Sequence, residues 1–208
     1  MGSPSRRCWF VEPLLKWWHS SKRDYPWRGE KDVYRLLVAE IMLQRTRRDL
    51  VAKVYGKFIE RFPSAETLAE ADIEEAEELM RPLGLVKRAR YLVALARELV
   101  NGRSLEELTG VGEYAATAVR VLRGEDVKLV ADASIARILS RITGLPLRSD
   151  RPARTPWVNE LLNSCAPSNK RDYLLALIDL AWEVCKPRRP LCPRCPLEKG
   201  CAYGRKRS

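Results

Sequence analysis

Four cysteines crowd into the last quarter of the 208-residue chain: Cys185, Cys192, Cys195 and Cys201, spaced C-x6-C-x2-C-x5-C. Thiolates this close in sequence can wrap one metal centre, and a reducing compartment favours metal over disulfides. A set of merely buried structural cysteines is a poor account of four within seventeen residues. A four-thiolate site suits zinc or an iron–sulfur cluster, and the spacing by itself leaves the two nearly even. Either metal would order a short, Pro-rich segment without a large core. Cys8 and Cys165 stand apart and are read as free thiols; neither they nor His19 carries a functional signal.

The rest of the chain limits the partner. It has 38 Lys and Arg against 27 Asp and Glu, a formal net charge of +11. That excess points to a polyanion, with nucleic acid ahead of a membrane surface. No stretch is apolar enough to span a bilayer, and the first seven residues lack a signal-peptide core, so a soluble, intracellular protein is expected. Val33, Leu36, Leu37 and Ile41 recur at helical spacing, and 91–100 forms a second amphipathic stretch. Further helices are expected at about 49–61, 66–70, 73–80, 113–123, 134–142, 155–164 and 171–184. Nothing alternates with period two for long, so the expected class is all-α. Pro, Arg and Cys become frequent after Pro146, which points to a second lobe.

Leu108-Thr109-Gly110-Val111-Gly112 separates a short helical run from the Ala-rich helix beginning at Glu113. Two glycines around an apolar residue permit a tight hairpin with amides turned outward. At a helix start those amides and the helix dipole both favour a phosphate. Beyond it, Asp132 opens another helix. On spacing alone an ordinary N-cap is the safer reading of Asp132.

These segments together resemble the endonuclease III and adenine glycosylase (MutY) superfamily, over roughly residues 10 to 203. The resemblance implies a [4Fe–4S] cluster on Cys185, Cys192, Cys195 and Cys201. It makes Gly110, Val111 and Gly112 the core of a helix-hairpin-helix motif, with Thr109 where proline is common. It makes Asp132 the central catalytic carboxylate, stabilising an oxocarbenium-like sugar and orienting or deprotonating water. Strand-cutting members carry a lysine, which forms a Schiff base, where this chain has Tyr114; little or no lyase activity is therefore expected. Arg23-Asp-Tyr-Pro-Trp-Arg28 and the helix after it resemble adenine glycosylases and thermophile-type G·T mismatch glycosylases. By that match Glu40 has a raised pKa and donates a proton or hydrogen bond to the leaving base. Gln44 fills the gap left by the extruded nucleotide, and Leu85 is an exposed wedge at the lesion. Lys87 and Arg88 lie beside phosphates, Arg45, Arg47 and Arg48 contact the opposite strand, and Lys186, Arg188, Arg189 and Arg194 face phosphates.

The implied fold is two helical lobes flanking a DNA-binding cleft, with the cluster loop at the C-terminal end. One lobe spans 26–126; the other joins 1–25 to 127–208 and bears the cluster. Adenine glycosylases usually have a tyrosine pair after the Gly84 equivalent, D-G-N at the aspartate, and a further C-terminal domain. Here stand Leu85-Val86 and Asp132-Ala133-Ser134, and the chain ends just after the cysteines. The expectation is thus a monofunctional DNA glycosylase removing thymine or uracil opposite guanine. Adenine excision opposite G or 8-oxoguanine is second, removal of oxidised pyrimidines third, and a non-catalytic DNA-binding protein the reading from another class. The expected partner is double-stranded DNA with a mismatched or damaged base, bound by a monomer, with no membrane; the expected location is cytoplasmic and nucleoid-associated.

Overall fold

The computed structural model describes residues 7–21, 24–44 and 46–205, and among them there are helices and turns but no strand. Among the described residues no helix is long and apolar enough to cross a membrane. The chain divides into two compact units, Asp24–Arg123 and Met1–Arg23 with Gly124–Ser208.

The unit at 24–123 is built on one long helix, Val86–Val100. Among the described residues the α-helices are α1 (Val11–Ser21), α2 (Val33–Leu43), α3 (Arg48–Arg61), α4 (Ala65–Ala69), α5 (Ile73–Met80), α6 (Val86–Val100), α7 (Glu113–Arg123), α8 (Ala133–Thr143), α9 (Pro156–Ser164), α10 (Lys170–Glu183) and α11 (Ala202–Arg205). Along α6, Ala89, Leu92, Val93 and Ala96 form one buried stripe, the spacing of an amphipathic helix. Both α4 and α5 pack on it, and Leu68, Met80, Phe58 and Phe62 fill the space between with no exposed surface. The short helices start where polar side chains take up orphan amides. Ser64 and Thr67 form a capping box at α4, and Asp72 caps α5. At the end of α2 the carbonyls of Ile41 and Gln44 both accept from the Arg88 guanidinium, at 3.0 and 2.7 Å. A cation there satisfies orphan carbonyls and the helix dipole together. Arg88, expected beside phosphates, is therefore committed to the fold.

In the other unit α10 is buried almost all round, from Tyr173 to Leu177 and again at Leu180 and Ala181. It packs against α1 and α8. Helix α1 is absent from the sequence-based helix ranges, although Phe10, Leu14 and Trp18 recur every fourth residue and are all buried. Trp18 donates its indole N–H to the buried carboxylate of Asp179 at 2.7 Å. Cys8 and Cys165 are not free thiols: they form a disulfide that ties the start of this unit to the end of α9. Their separation of 157 residues hid the pairing. Nearby, the Trp9 ring lies so close over Gly200 that any larger residue there would run into it.

Candidate functional site

Chemistry-bearing side chains occur in both units. In the first, residues 105–107 form a turn rather than the short helix anticipated before the hairpin. Ser104 closes that turn by donating its N–H and hydroxyl to the Glu107 carboxylate, at 2.9 and 2.8 Å. The corner that follows is a left-handed glycine, Gly110 at φ 76. A methyl group on it would meet the Tyr91 hydroxyl at 2.8 Å, so Tyr91 forms a floor beneath the hairpin. The Tyr91 hydroxyl is buried without a hydrogen-bond partner among the described residues, and burial raises its pKa. Val111 donates to the Leu108 carbonyl at 3.2 Å and packs on the core, and Gly112 accepts the first bond of α7 from Ala116 at 3.0 Å. Gly110 and Gly112 are exposed.

A carboxylate missed by sequence reasoning anchors this hairpin. Glu98, in the last turn of α6, accepts from the Thr109 N–H and from the Thr109 hydroxyl, both at 2.7 Å. These bonds, the backbone one first, hold the Glu98 carboxyl below its ordinary pKa. An acid in the last turn opposes the helix dipole, so the two bonds and the Arg103 guanidinium at 3.3 Å offset an unfavourable position. Thr109, where the resembling motif has proline, thus supplies an N–H that proline lacks.

The other expected residues of this unit are distributed as follows. Glu40 is half-buried on α2 and Tyr114 half-buried in the first turn of α7. Gln44 is exposed at the α2 C-cap, and Lys87 is exposed in the first turn of α6. Leu85 follows the left-handed Gly84 but is half-buried and packed on the core, less exposed than a free wedge. Arg48 is buried, with its guanidinium 5.8 Å from the Tyr25 ring centroid. Arg45 lies outside the described residues.

In the second unit Asp132 is the N-cap of α8, its Oδ1 accepting from the Ile135 N–H at 2.7 Å. Oδ2 accepts nothing among the described residues, so one cap bond fixes the carboxylate while leaving an oxygen for chemistry. Capping and catalysis are compatible at this position.

All four clustered cysteines line one cavity of about 340 Å³, its open mouth included, together with Ile138, Ile142 and Leu180 from α8 and α10. Yet among the described residues no three His, Cys, Asp or Glu side chains converge closely enough to hold a single ion. Four cysteines facing one apolar-walled cavity are a donor set that suits zinc or an iron–sulfur cluster. Burial pushes the Cys195 thiol up to about 11; a bond from Leu197 opposes this, and the other three cysteines add to it. A bound cationic centre would reverse that preference and take the thiols as thiolates. Arg141 braces the loop from α8, donating to the Lys186 and Pro187 carbonyls at 2.7 Å and to the Cys185 sulfur at 3.3 Å. Lys186, Arg188, Arg189 and Arg194 are exposed around it.

Residues 38–156, a span that includes the hairpin and Asp132, match the HhH-GPD superfamily of base excision DNA repair proteins. The chain belongs to that superfamily. It is 33% identical to a thymine-DNA glycosylase of Aeropyrum pernix, over 91% of this chain and 92% of the relative. It is 32% identical to a thymine/uracil-DNA glycosylase of Methanothermobacter thermautotrophicus, over 95% and 94%. A mouse adenine DNA glycosylase is 32% identical over 94% of this chain but 42% of its own length. Among solved structures, a thermostable thymine-DNA glycosylase superposes with a TM-score of 0.83 at 31% identity, covering 97% of this chain and 98% of that one. The superfamily match stops short of the cysteines, which are brought together by their own spacing and by the cavity they line.

Proposed function

We propose that the protein is a monofunctional DNA glycosylase that hydrolyses the N-glycosidic bond of thymine or uracil opposite guanine and leaves an abasic site. The observation that carries this reading is Asp132, held by a single cap bond with Oδ2 left over, in a chain of this superfamily. The relatives named as thymine and thymine/uracil glycosylases support the choice of base.

Breaking the base–sugar bond builds positive charge on the sugar, and the Asp132 carboxylate stabilises that charge while orienting or deprotonating the attacking water. Glu40 donates a proton or hydrogen bond to the departing base. Tyr114 stacks on or hydrogen-bonds the flipped base and, having no amine, forms no Schiff base with the sugar. Gly110, Val111 and Gly112 with the start of α7 receive a backbone phosphate. Gln44 fills the vacated space, Leu85 presses at the lesion, and Arg45 and Lys87 hold the strands. Cys185, Cys192, Cys195 and Cys201 hold a [4Fe–4S] cluster, which orders the loop and presents its basic residues to DNA. The working form is a monomer on duplex DNA, in the cytoplasm with the nucleoid.

Labelled duplexes with G·T, G·U or A·G pairs, followed by hot alkali, test the reading. Alkali-dependent cleavage at T or U, with little cleavage without alkali, is expected. Cleavage confined to A opposite G would replace it with adenine excision, and no cleavage anywhere would leave a DNA-binding protein.

A further inference from the structure

The segment that leads into Asp132 poses a hydrogen-bonding problem. Leu129 and Ala131 are 1% and 3% exposed, and no strand lies beside them, since none exists among the described residues. Buried amides and carbonyls without partners are costly, so something must replace the missing strand. Two asparagines one turn apart on α9 do so. Asn163 accepts from the Leu129 N–H at 2.7 Å and donates back to the Leu129 carbonyl at 2.8 Å. Asn159 accepts from the Ala131 N–H at 2.9 Å. A second bond from Asn163, to the Asn159 carbonyl at 2.8 Å, locks its amide orientation. Further back, Lys170 donates to the Val127 carbonyl at 2.9 Å. The tied residues are 127, 129 and 131, alternate positions such as one side of a strand presents. The side-chain amide, which sets an N–H donor beside a carbonyl acceptor, imitates a peptide group and has a second N–H to spare.

We propose that Asn159 and Asn163 are the positioning residues of the reaction: a two-rung side-chain ladder that sets the backbone immediately before Asp132 and so aims its carboxylate. The inference rests on the reading of Asp132 as the catalytic carboxylate. The two rungs are not equivalent. Asn159 uses only its oxygen, and its Nδ2 bonds to nothing among the described residues. Asn163 uses both its oxygen and its nitrogen. Aspartate is therefore an acceptable replacement at 159, where it keeps the acceptor. At 163 it sets a carboxylate oxygen against the Leu129 and Asn159 carbonyls.

That asymmetry separates aim from charge. If added charge near Asp132 governed the outcome, Asn159→Asp, one residue-tie away from it, would be the more damaging change. If the ladder governs it, Asn163→Asp is. The measurement is single-turnover excision at saturating duplex, alongside duplex affinity and thermal unfolding, with Asp132→Asn in the same series. Asn163→Asp should excise about tenfold to a hundredfold more slowly, the scale of a small misplacement of a reacting group, with duplex affinity within about twofold of wild type. Asn159→Ala should slow excision severalfold, and Asn159→Asp should recover it. If Asn163→Asp fails to fold, the Asn159 pair still decides. Wild-type excision by Asn163→Asp, or no recovery in Asn159→Asp over Asn159→Ala, overturns the ladder. Undiminished excision by Asp132→Asn would instead overturn the catalytic reading on which it rests.

Discussion

The hairpin at 108–112 and the acid-bearing segment at 127–132 are both irregular stretches tied by side chains of a helix in their own unit, yet the ties differ in charge. Thr109 is exposed, and its tie is a carboxylate, Glu98, taking two bonds at 2.7 Å. Leu129 and Ala131 are buried, and their ties are neutral amides. The buried Leu129 offers both an N–H and a C=O, and Asn163 meets both; a carboxylate could only accept, whereas an amide does both at a small desolvation cost. At the surface the carboxylate keeps part of its water, and its charge-assisted bonds are the stronger kind. The loop at 185–201 is arranged in a third way: Arg141 holds the Lys186 and Pro187 carbonyls, and four thiols line a cavity beside Ile138, Ile142 and Leu180. An exposed loop is shaped by a charge and a buried one by amides, and in the function proposed above a metal centre shapes the cysteine loop.

The comparison breaks most visibly at the thiols. Cys195→Ser should remove iron and its visible absorbance and leave the unit that holds the loop unstable. Structural metal sites contribute on the order of 10 kcal/mol, as much as a whole domain's stability. A purified Cys195→Ser protein without iron but with wild-type thermal stability would show that side chains alone order the loop. Next in size, Asp132→Asn should lower excision by at least about a hundredfold, the scale of general acid–base contributions. Asparagine caps helices about as well as aspartate, so folding and duplex affinity should stay near wild type.

Gly110→Ala probes the hairpin alone. The left-handed corner and the Tyr91 ring together should cost about 1–3 kcal/mol in that loop. Duplex affinity should fall while excision at saturating duplex is unchanged; a slower saturated rate would mean the hairpin does more than grip. The smallest effect expected is a pH dependence. Glu98 has its carboxyl lowered by the Thr109 bonds, so its contribution is complete above the ordinary glutamate range and is lost as pH falls through the lowered value. Thermal unfolding followed downward from pH 6 should show a slightly shallower acid decline in Glu98→Gln, which has no proton to gain; parallel curves would remove Glu98 from the account.

Legibility followed distance along the chain. Helices α2 to α10 were visible in periodicity, because i, i+3 and i+4 positions share a face and the pattern is local. The glycines of the hairpin, the cap at Asp132 and the close spacing of the four cysteines were visible for the same reason. The floor under Gly110 was not, since nothing at Tyr91 marks it as the neighbour of a glycine 19 residues on. Helix α1 was overlooked although its every-fourth-residue pattern was present.

By itself the sequence determined the all-helical class and the superfamily, both carried by residue types at short spacing. Tertiary structure alone decided the long-range ties: Glu98 on Thr109, Asn159 and Asn163 across 28 and 34 residues, and Cys8 on Cys165 across 157. The physical reason is that a side chain bonding to backbone leaves no mark on its partner. Every residue but proline offers the same N–H and C=O, so only the folded path of the chain selects which one is held.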